Sequence, residues 1–259
     1  MPNFISNDAT INYQTFGDHT KPALIFSNSL GTNFSMWQPQ IDALKNDFYI
    51  VCYDTRGHGL SSAPKGPYSI DQLGTDVIHL LDQLHIDKAI FCGISMGGLT
   101  GQWLAIHHPE RFNHVMVCNT AAKIGQEQAW NERAQLVRST GLDAIASTAA
   151  SRWFTEGFIA NNPAIVTELS NNLAAGSPEG YASCCEALSK ADLRTELKNI
   201  SIPVLVVAGS KDPVTTVSDG QYMVNNIKNS ALFEIEASHI SNIEQPDAFN
   251  EALKQFIAA

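Results

Sequence analysis

Residues 89–111 read AIFCGISMGGLTGQWLAIHHPER. An apolar run, Ala89–Cys92, gives way to Gly93-Ile94-Ser95-Met96-Gly97, and a helical periodicity follows at Leu99, Trp103 and Ile106 until Pro109 stops it. A serine between two glycines at a strand-to-helix junction matches G-x-S-x-G, the elbow in which a sharp turn holds a nucleophilic serine in a strained backbone. The glycines are required because a Cβ at either place would meet the adjoining strand and helix. The pattern arises by chance in about one chain in ten of this length, so its surroundings decide what it means.

Outward from the elbow, short apolar runs alternate with helical periodicities. The runs are Ala23–Phe26, Tyr49–Tyr53, Ala89–Cys92, Val115–Cys118, Val204–Ala208 and Leu232–Ile235. That alternation predicts a mostly parallel sheet flanked by helices. One helix is expected at Ile70, Leu73, Val77, Leu80, Leu81 and Leu84, opened by a capping box at Ser69 and Gln72. Another begins near Pro246 and carries Phe249, Leu253, Phe256 and Ile257 on one face. From Lys123 to Leu193 the alternation stops, leaving only helix-forming segments broken by glycine and proline. The expected organisation is a core of residues 1–122 and 194–259 with a helical cap, 123–193, inserted between two strands.

If Ser95 is a nucleophile, an acid should follow a later strand, and a histidine should come after it. Strand Val204–Ala208 runs into Gly209-Ser210-Lys211-Asp212-Pro213, and strand Leu232–Ile235 runs into Ala237-Ser238-His239. Of the eight histidines, His239 alone follows Asp212. In this reading His239 takes the serine proton, and Asp212 fixes its tautomer and stabilises the imidazolium. Glu234 and Glu236 compete for the acid role, but their alternation along a strand marks a solvated face. The oxyanion that forms on attack needs two N–H donors. Met96, next after the nucleophile, should supply one, and the loop Ser27-Asn28-Ser29-Leu30-Gly31 after strand Ala23–Phe26 the other.

Composition narrows the field. The chain has 259 residues, a net charge of −10 and no basic run, which argues against nucleic acid as a partner. No apolar run approaches the length of a membrane span, and the N-terminus lacks the basic and apolar regions of a secretory signal. The five cysteines show no disulfide or zinc spacing: Cys52, Cys92 and Cys118 sit in apolar runs, and Cys184-Cys185 are adjacent. A reducing cytoplasm is the expected compartment, with no metal and no cofactor.

The elbow, the strand-end acid and histidine, and the turn Asp54-Thr55-Arg56-Gly57-His58-Gly59-Leu60-Ser61 together resemble the α/β-hydrolase superfamily over nearly the whole chain. Within it, S-M-G-G-x-x-G-Q-W-L-A followed by C-N-T-A-A-K-I-G resembles the bacterial 3-oxoadipate enol-lactonases. The resemblance implies an α/β-hydrolase fold with a helical cap. It also implies hydrolysis of an anionic enol-lactone to 3-oxoadipate in aromatic catabolism, through an acyl-enzyme. Many relatives carry His-Gly before the second oxyanion donor; here Asn28-Ser29 stand in those places, so the resemblance implies Leu30 as that donor, with Gly31 the alternative. A substrate carboxylate needs a cation, and the cap opens with Trp130-Asn131-Glu132-Arg133, whose Trp and Arg share a helical face. Arg133 is the candidate clamp and Trp130 a pocket wall; Arg138 and Arg152 are alternatives, and Arg56 is expected to brace its own turn. Other readings on the same scaffold are a carboxylesterase, a carbon–carbon bond hydrolase, a cofactor-free haloperoxidase, or a receptor with a vestigial triad. Cys184-Cys185 have no role in the resemblance.

Overall fold

The chain opens with two strands that no apolar run announces, β1 (Asn3–Ser6) and β2 (Ala9–Phe16), paired antiparallel with Phe4 opposite Ile11. They escape hydrophobic periodicity because their buried faces are partly polar. Ser6 donates to the Asp76 carboxylate at 2.5 Å, and the Asn12 side chain donates to Asp54 at 2.8 Å. The computed structural model describes residues 2–258; Met1 and Ala259, at the outer ends of the two expected core segments, lie outside the described residues.

Six further strands follow at the expected apolar runs: β3 (Ala23–Ser27), β4 (Tyr49–Tyr53), β5 (Ala89–Ile94), β6 (Phe112–Cys118), β7 (Val204–Gly209) and β8 (Ser230–Ile235). The eight form one sheet in the order β1-β2-β4-β3-β5-β6-β7-β8. β2 pairs antiparallel with β4; every pair from β4–β3 to β7–β8 is parallel. Every residue of β3, β5 and β7 is buried, as strands covered on both faces must be. At about 1.5–3 kcal/mol for each large apolar side chain taken from water, this central slab is the main stabilising element.

Helices cover it. α1 (Gln38–Leu44) precedes β4, and α2 (Ile70–Gln83) precedes β5 with both bonds of the Ser69–Gln72 capping box formed. α3 (Met96–His107) leaves β5 directly and stops before Pro109. Between β6 and β7 come only helices: α4 (Glu127–Thr140), α5 (Asp143–Ser147), α6 (Ala150–Trp153), α7 (Glu156–Asn161), α8 (Pro163–Ala174) and α9 (Pro178–Lys190), with a short 3-10 turn before β7. The chain continues through α10 (Val217–Asn226), α11 (Ser241–Glu244) and α12 (Pro246–Ala258).

The topology decides where chemistry can occur. In a parallel sheet the loops leaving the strands' carboxyl ends gather along one edge. Ser29–Gly31 follow β3, Ser95 follows β5, Asn119 follows β6, Asp212 follows β7 and His239 follows β8.

Candidate active site

Ser95 sits at φ 57° and ψ −114°, a region costing a non-glycine residue on the order of 1–3 kcal/mol. Its neighbours hold it there. The Ser95 N–H donates to the Cys118 carbonyl at 2.9 Å, and the Thr120 hydroxyl donates to the Ser95 carbonyl at 2.8 Å. A Cβ on Gly93 would strike the Gly97 backbone, and one on Gly97 would strike the Ser27 carbonyl. The elbow is also pinned to the β3 loop, since the Gly97 N–H donates to the Asn28 carbonyl at 3.1 Å. The Asn28 side chain turns inward, donating to the Tyr53 carbonyl at 2.8 Å and accepting from Trp37 Nε1 at 2.9 Å.

Two amides near the elbow have no partner carbonyl among the described residues. Met96 opens α3, so its N–H has no carbonyl one turn earlier to meet. In the β3 loop the Gly31 N–H is committed to His58 Nε2 at 2.9 Å, and the Thr32 N–H to the Ser29 carbonyl at 3.1 Å. The Leu30 N–H has no acceptor among the described residues. Of the two donors that the sequence leaves open, Gly31 is thereby removed.

Asp212 and His239 meet after β7 and β8, with His239 Nδ1 2.8 Å from Asp212 Oδ2 and both side chains buried. Burial alone would raise the Asp212 pKa. The bond from His239 and its charge, with N–H donors from Val214 at 2.7 Å and Thr215 at 3.2 Å, outweigh burial and hold it below the usual carboxylate value. Glu234 and Glu236 are exposed, on the solvated face their alternation predicts.

Sequence reasoning passed over two residues here. Asn119, itself at φ 45°, donates from Nδ2 to Asp212 Oδ2 at 3.2 Å and to the Ser238 carbonyl at 2.9 Å, while its Oδ1 accepts from Ser241 at 2.6 Å. It therefore joins the acid loop to the histidine loop. Its only signal in the sequence is its place directly after β6, level with the other strand ends. Glu244 accepts the Ser238 N–H at 2.8 Å and both the N–H and hydroxyl of Thr155, linking the histidine loop to the helical segment.

Ser95, His239 and Leu30 line one cavity of about 310 Å³, at the small end of ligand pockets. The helical segment supplies most of its remaining wall, including Trp130, Arg133, Arg152, Trp153, Leu173 and Tyr181. The Arg133 guanidinium lies 4.9 Å from the centre of the Trp130 ring, and Trp130 Nε1 is anchored on the Ile124 carbonyl. Arg152 donates to the Ile145 and Thr148 carbonyls and to the Thr148 hydroxyl. Burial, helped by repulsion from Arg133, holds the Arg152 pKa below the usual arginine value. Neither arginine forms an ion pair among the described residues.

Arg138, one of the alternative clamps, does not reach the cavity. It is spent on Glu179 at 2.9 Å and Glu186 at 2.5 Å. Arg56 is fully buried against Asp76 at 2.6 Å and reaches Asp8 at 3.0 Å, bracing its turn. Cys184 and Cys185 lie buried in α9, where Cys184 Sγ approaches the Arg56 carbonyl at 3.8 Å and burial pushes the Cys185 thiol up to about 12. No group of three or more His, Cys, Asp or Glu among the described residues could hold a metal ion, and no helix is long and apolar enough to cross a membrane.

A strained serine after one parallel strand and an acid–histidine pair after two others, brought to one cavity, are the arrangement of a serine hydrolase scaffold. The chain belongs to the α/β-hydrolase fold family, whose model matches residues 22–246. Within that family it is 66% identical to 3-oxoadipate enol-lactonase 2 of Acinetobacter baylyi over 249 residues, covering 96% of this chain and 93% of that protein. It is 46% identical to 3-oxoadipate enol-lactonase 1 of the same organism, with the same coverage of both. Among solved structures, the enol-lactonase from Burkholderia xenovorans superposes with a TM-score of 0.97 at 43% identity, covering all of both chains.

Proposed function

We propose that this protein hydrolyses 3-oxoadipate enol-lactone to 3-oxoadipate through an acyl-enzyme on Ser95. The observation that carries the reading is a single cavity where Ser95 and an Asp212-bonded His239 face two arginines without acidic partners. Ser95 Oγ attacks the lactone carbonyl as His239 takes its proton, and the Leu30 and Met96 amides receive the oxyanion. Collapse breaks the ring C–O bond and expels an enolate, which takes a proton from His239 and tautomerises to the ketone. Such a leaving group needs little acid assistance. Water, deprotonated by His239, then attacks the acyl carbonyl, and collapse breaks the acyl–Ser95 bond, returns the His239 proton to Ser95 Oγ and releases the second carboxylate. Ionised Asp212 stabilises the imidazolium in both halves of the cycle.

Arg133 binds the substrate carboxylate in this reading, with Trp130 as the wall beside it and Arg152 as a second positive charge. Two unneutralised cations in a chain of net charge −10 mark a local preference for anions. We assign residues 123–193 to a cap over a core of 1–122 and 194–259, and the protein to the cytoplasm, where its five buried free thiols would stay reduced. The test is loss of the enol-lactone's ultraviolet absorbance on adding protein, beside a neutral aryl ester. Absence of lactone turnover in protein that cleaves the aryl ester would replace this reading with a general esterase.

A further inference from the structure

The turn Arg56-Gly57-His58-Gly59 lies outside the catalytic set, yet its histidine reaches the oxyanion loop. His58 is buried, and its Nε2 accepts the Gly31 N–H at 2.9 Å. A backbone N–H can only donate, so Nε2 carries no proton and the ring proton resides on Nδ1. Nδ1 faces the Arg56 carbonyl at 3.3 Å, an acceptor for that proton. Both ring nitrogens are therefore used and the tautomer is fixed. The far end of the link is braced, because the Arg56 side chain is clamped by Asp76 and Asp8. Across the loop stand Leu173 and Tyr181, which a Cβ on Gly31 would crowd, and the Tyr181 ring centre lies 6.5 Å from that of His58.

We infer that His58 is a positioning residue for the oxyanion hole: by holding the Gly31 amide it turns the preceding peptide so that the Leu30 N–H faces the space over Ser95. Without that acceptor, the Gly31 N–H would be a buried donor with no partner, and the loop could satisfy it only by rotating. The Leu30 N–H lies in the adjoining Ser29–Leu30 peptide, so a loop that shifts to satisfy Gly31 also re-aims the Leu30 amide, and an oxyanion donor acts only when aimed at the developing charge. Burial supports the assignment by pushing the His58 pKa down to about 4, so the ring stays a neutral acceptor at neutral pH.

The inference rests on the serine mechanism proposed above, and the experiment separates the two. His58→Leu removes the acceptor at similar bulk, and His58→Gln restores a side-chain carbonyl. The measurements are kcat and KM for the lactone, affinity for an arylboronic acid and inhibition by adipate. The boronic acid forms a tetrahedral Ser95 adduct with an oxygen in the hole, whereas adipate fills the cavity without one. His58→Leu is expected to lower kcat roughly 10- to 100-fold, less than the 10²–10³ of losing a donor outright. KM and adipate inhibition should stay within about twofold, boronate affinity should fall with kcat, and His58→Gln should recover most of the loss. Unchanged kcat in His58→Leu, or equal losses for boronate and adipate, would overturn the inference. Amide hydrogen exchange on the unmodified protein gives an answer independent of whether a variant folds: a protected Gly31 amide is expected, and a freely exchanging one overturns the link. Failure of the serine mechanism itself would show as wild-type protein that neither turns over lactone nor binds the boronate.

Discussion

The strand-end loops and the helical segment between β6 and β7 face each other across one cavity, and they are built in opposite ways. On the sheet side almost every polar group is tied: Ser95 by Cys118 and Thr120, Asp212 by His239, Asn119, Val214 and Thr215, Asn28 by Tyr53 and Trp37. On the helical side, Arg133 leans on an indole and Arg152 on neutral oxygens, with no carboxylate for either. Chemistry needs preorganised groups that do not move as charge develops. Recognition of an anion needs positive charge left free until the ligand arrives. In the proposed reading the rigid side sets what reaction can occur, and the unfinished side sets what it occurs on.

Ser95→Ala gives the largest effect expected from that division, a fall in kcat of roughly 10⁵–10⁶ on every substrate, since the triad acts as a unit. Thermal unfolding should change little or rise, because alanine relieves none of the packing. A variant keeping a tenth of wild-type turnover would dissolve the division, for the sheet side would then not hold the chemistry. Asp212→Asn should cost on the order of 10⁴ in rate on lactone and aryl ester alike, by presenting His239 with the wrong partner. Should it prove harmless, the acid function passes to another carboxylate.

Acid titration probes the rigid side as a whole. In the unfolded chain His58 protonates near its ordinary value of 6.5, but in the fold it stays neutral to about 4. As pH falls through that window the unfolded state binds a proton that the folded state refuses, so stability drops, by up to about 3 kcal/mol. Urea unfolding at pH 7, 5.5 and 4.5 should show this slope in wild type and a shallower one in His58→Gln. Equal slopes would mean that His58 is more open to water than its burial implies.

The helical side should respond selectively. Arg133→Met removes a charge-assisted bond worth about 1.5–3 kcal/mol, or roughly 10- to 150-fold in kcat/KM at 1.4 kcal/mol per decade. The loss belongs to the carboxylate-bearing lactone and should nearly vanish with a neutral ester; equal losses on both would turn Arg133 into a support for the wall. Arg152→Met should show the same selectivity but only about three- to tenfold, since its guanidinium is partly engaged by Thr148 and Ile145. If Arg152→Met is the more damaging of the two, the primary clamp is Arg152.

The same division governs what the sequence reveals. β3 to β7 could be read because largely buried strands are written as apolar runs, β8 from the shorter run Leu232–Ile235 despite its exposed Glu234, and the strand-end places of Ser95, Asp212 and His239 because the fold fixes their order along the chain. β1 and β2 were hidden by a polar core: Ser6 and Asn12 look like surface residues until Asp76 and Asp54 are brought against them. Asn119 was hidden because its three partners come from the loop after β7, the histidine loop and α11. No spacing separates Arg133 from Arg138, which stand five apart on one helix. What separates them is the pair Glu179 and Glu186, more than forty residues onward on α9, which neutralises one arginine and leaves the other free.

One contact also limits how such proteins can be recombined. Gly57, at φ 79°, and Gly180 at the start of α9 touch backbone to backbone, so that a Cβ on either would run into the other's main chain. The junction is a keyed joint with a half in each segment, one in the loop that carries His58 and the other in the helix that carries Tyr181. A chimera that takes residues 123–193 from a relative will seat only if the donor brings a glycine at the position of Gly180. Where it brings a larger residue, α9 must stand off the Arg56–Gly59 turn, and the displacement would reach the Ser95 cavity through Tyr181. Screening of exchanged segments can therefore begin with one position on each side of the joint.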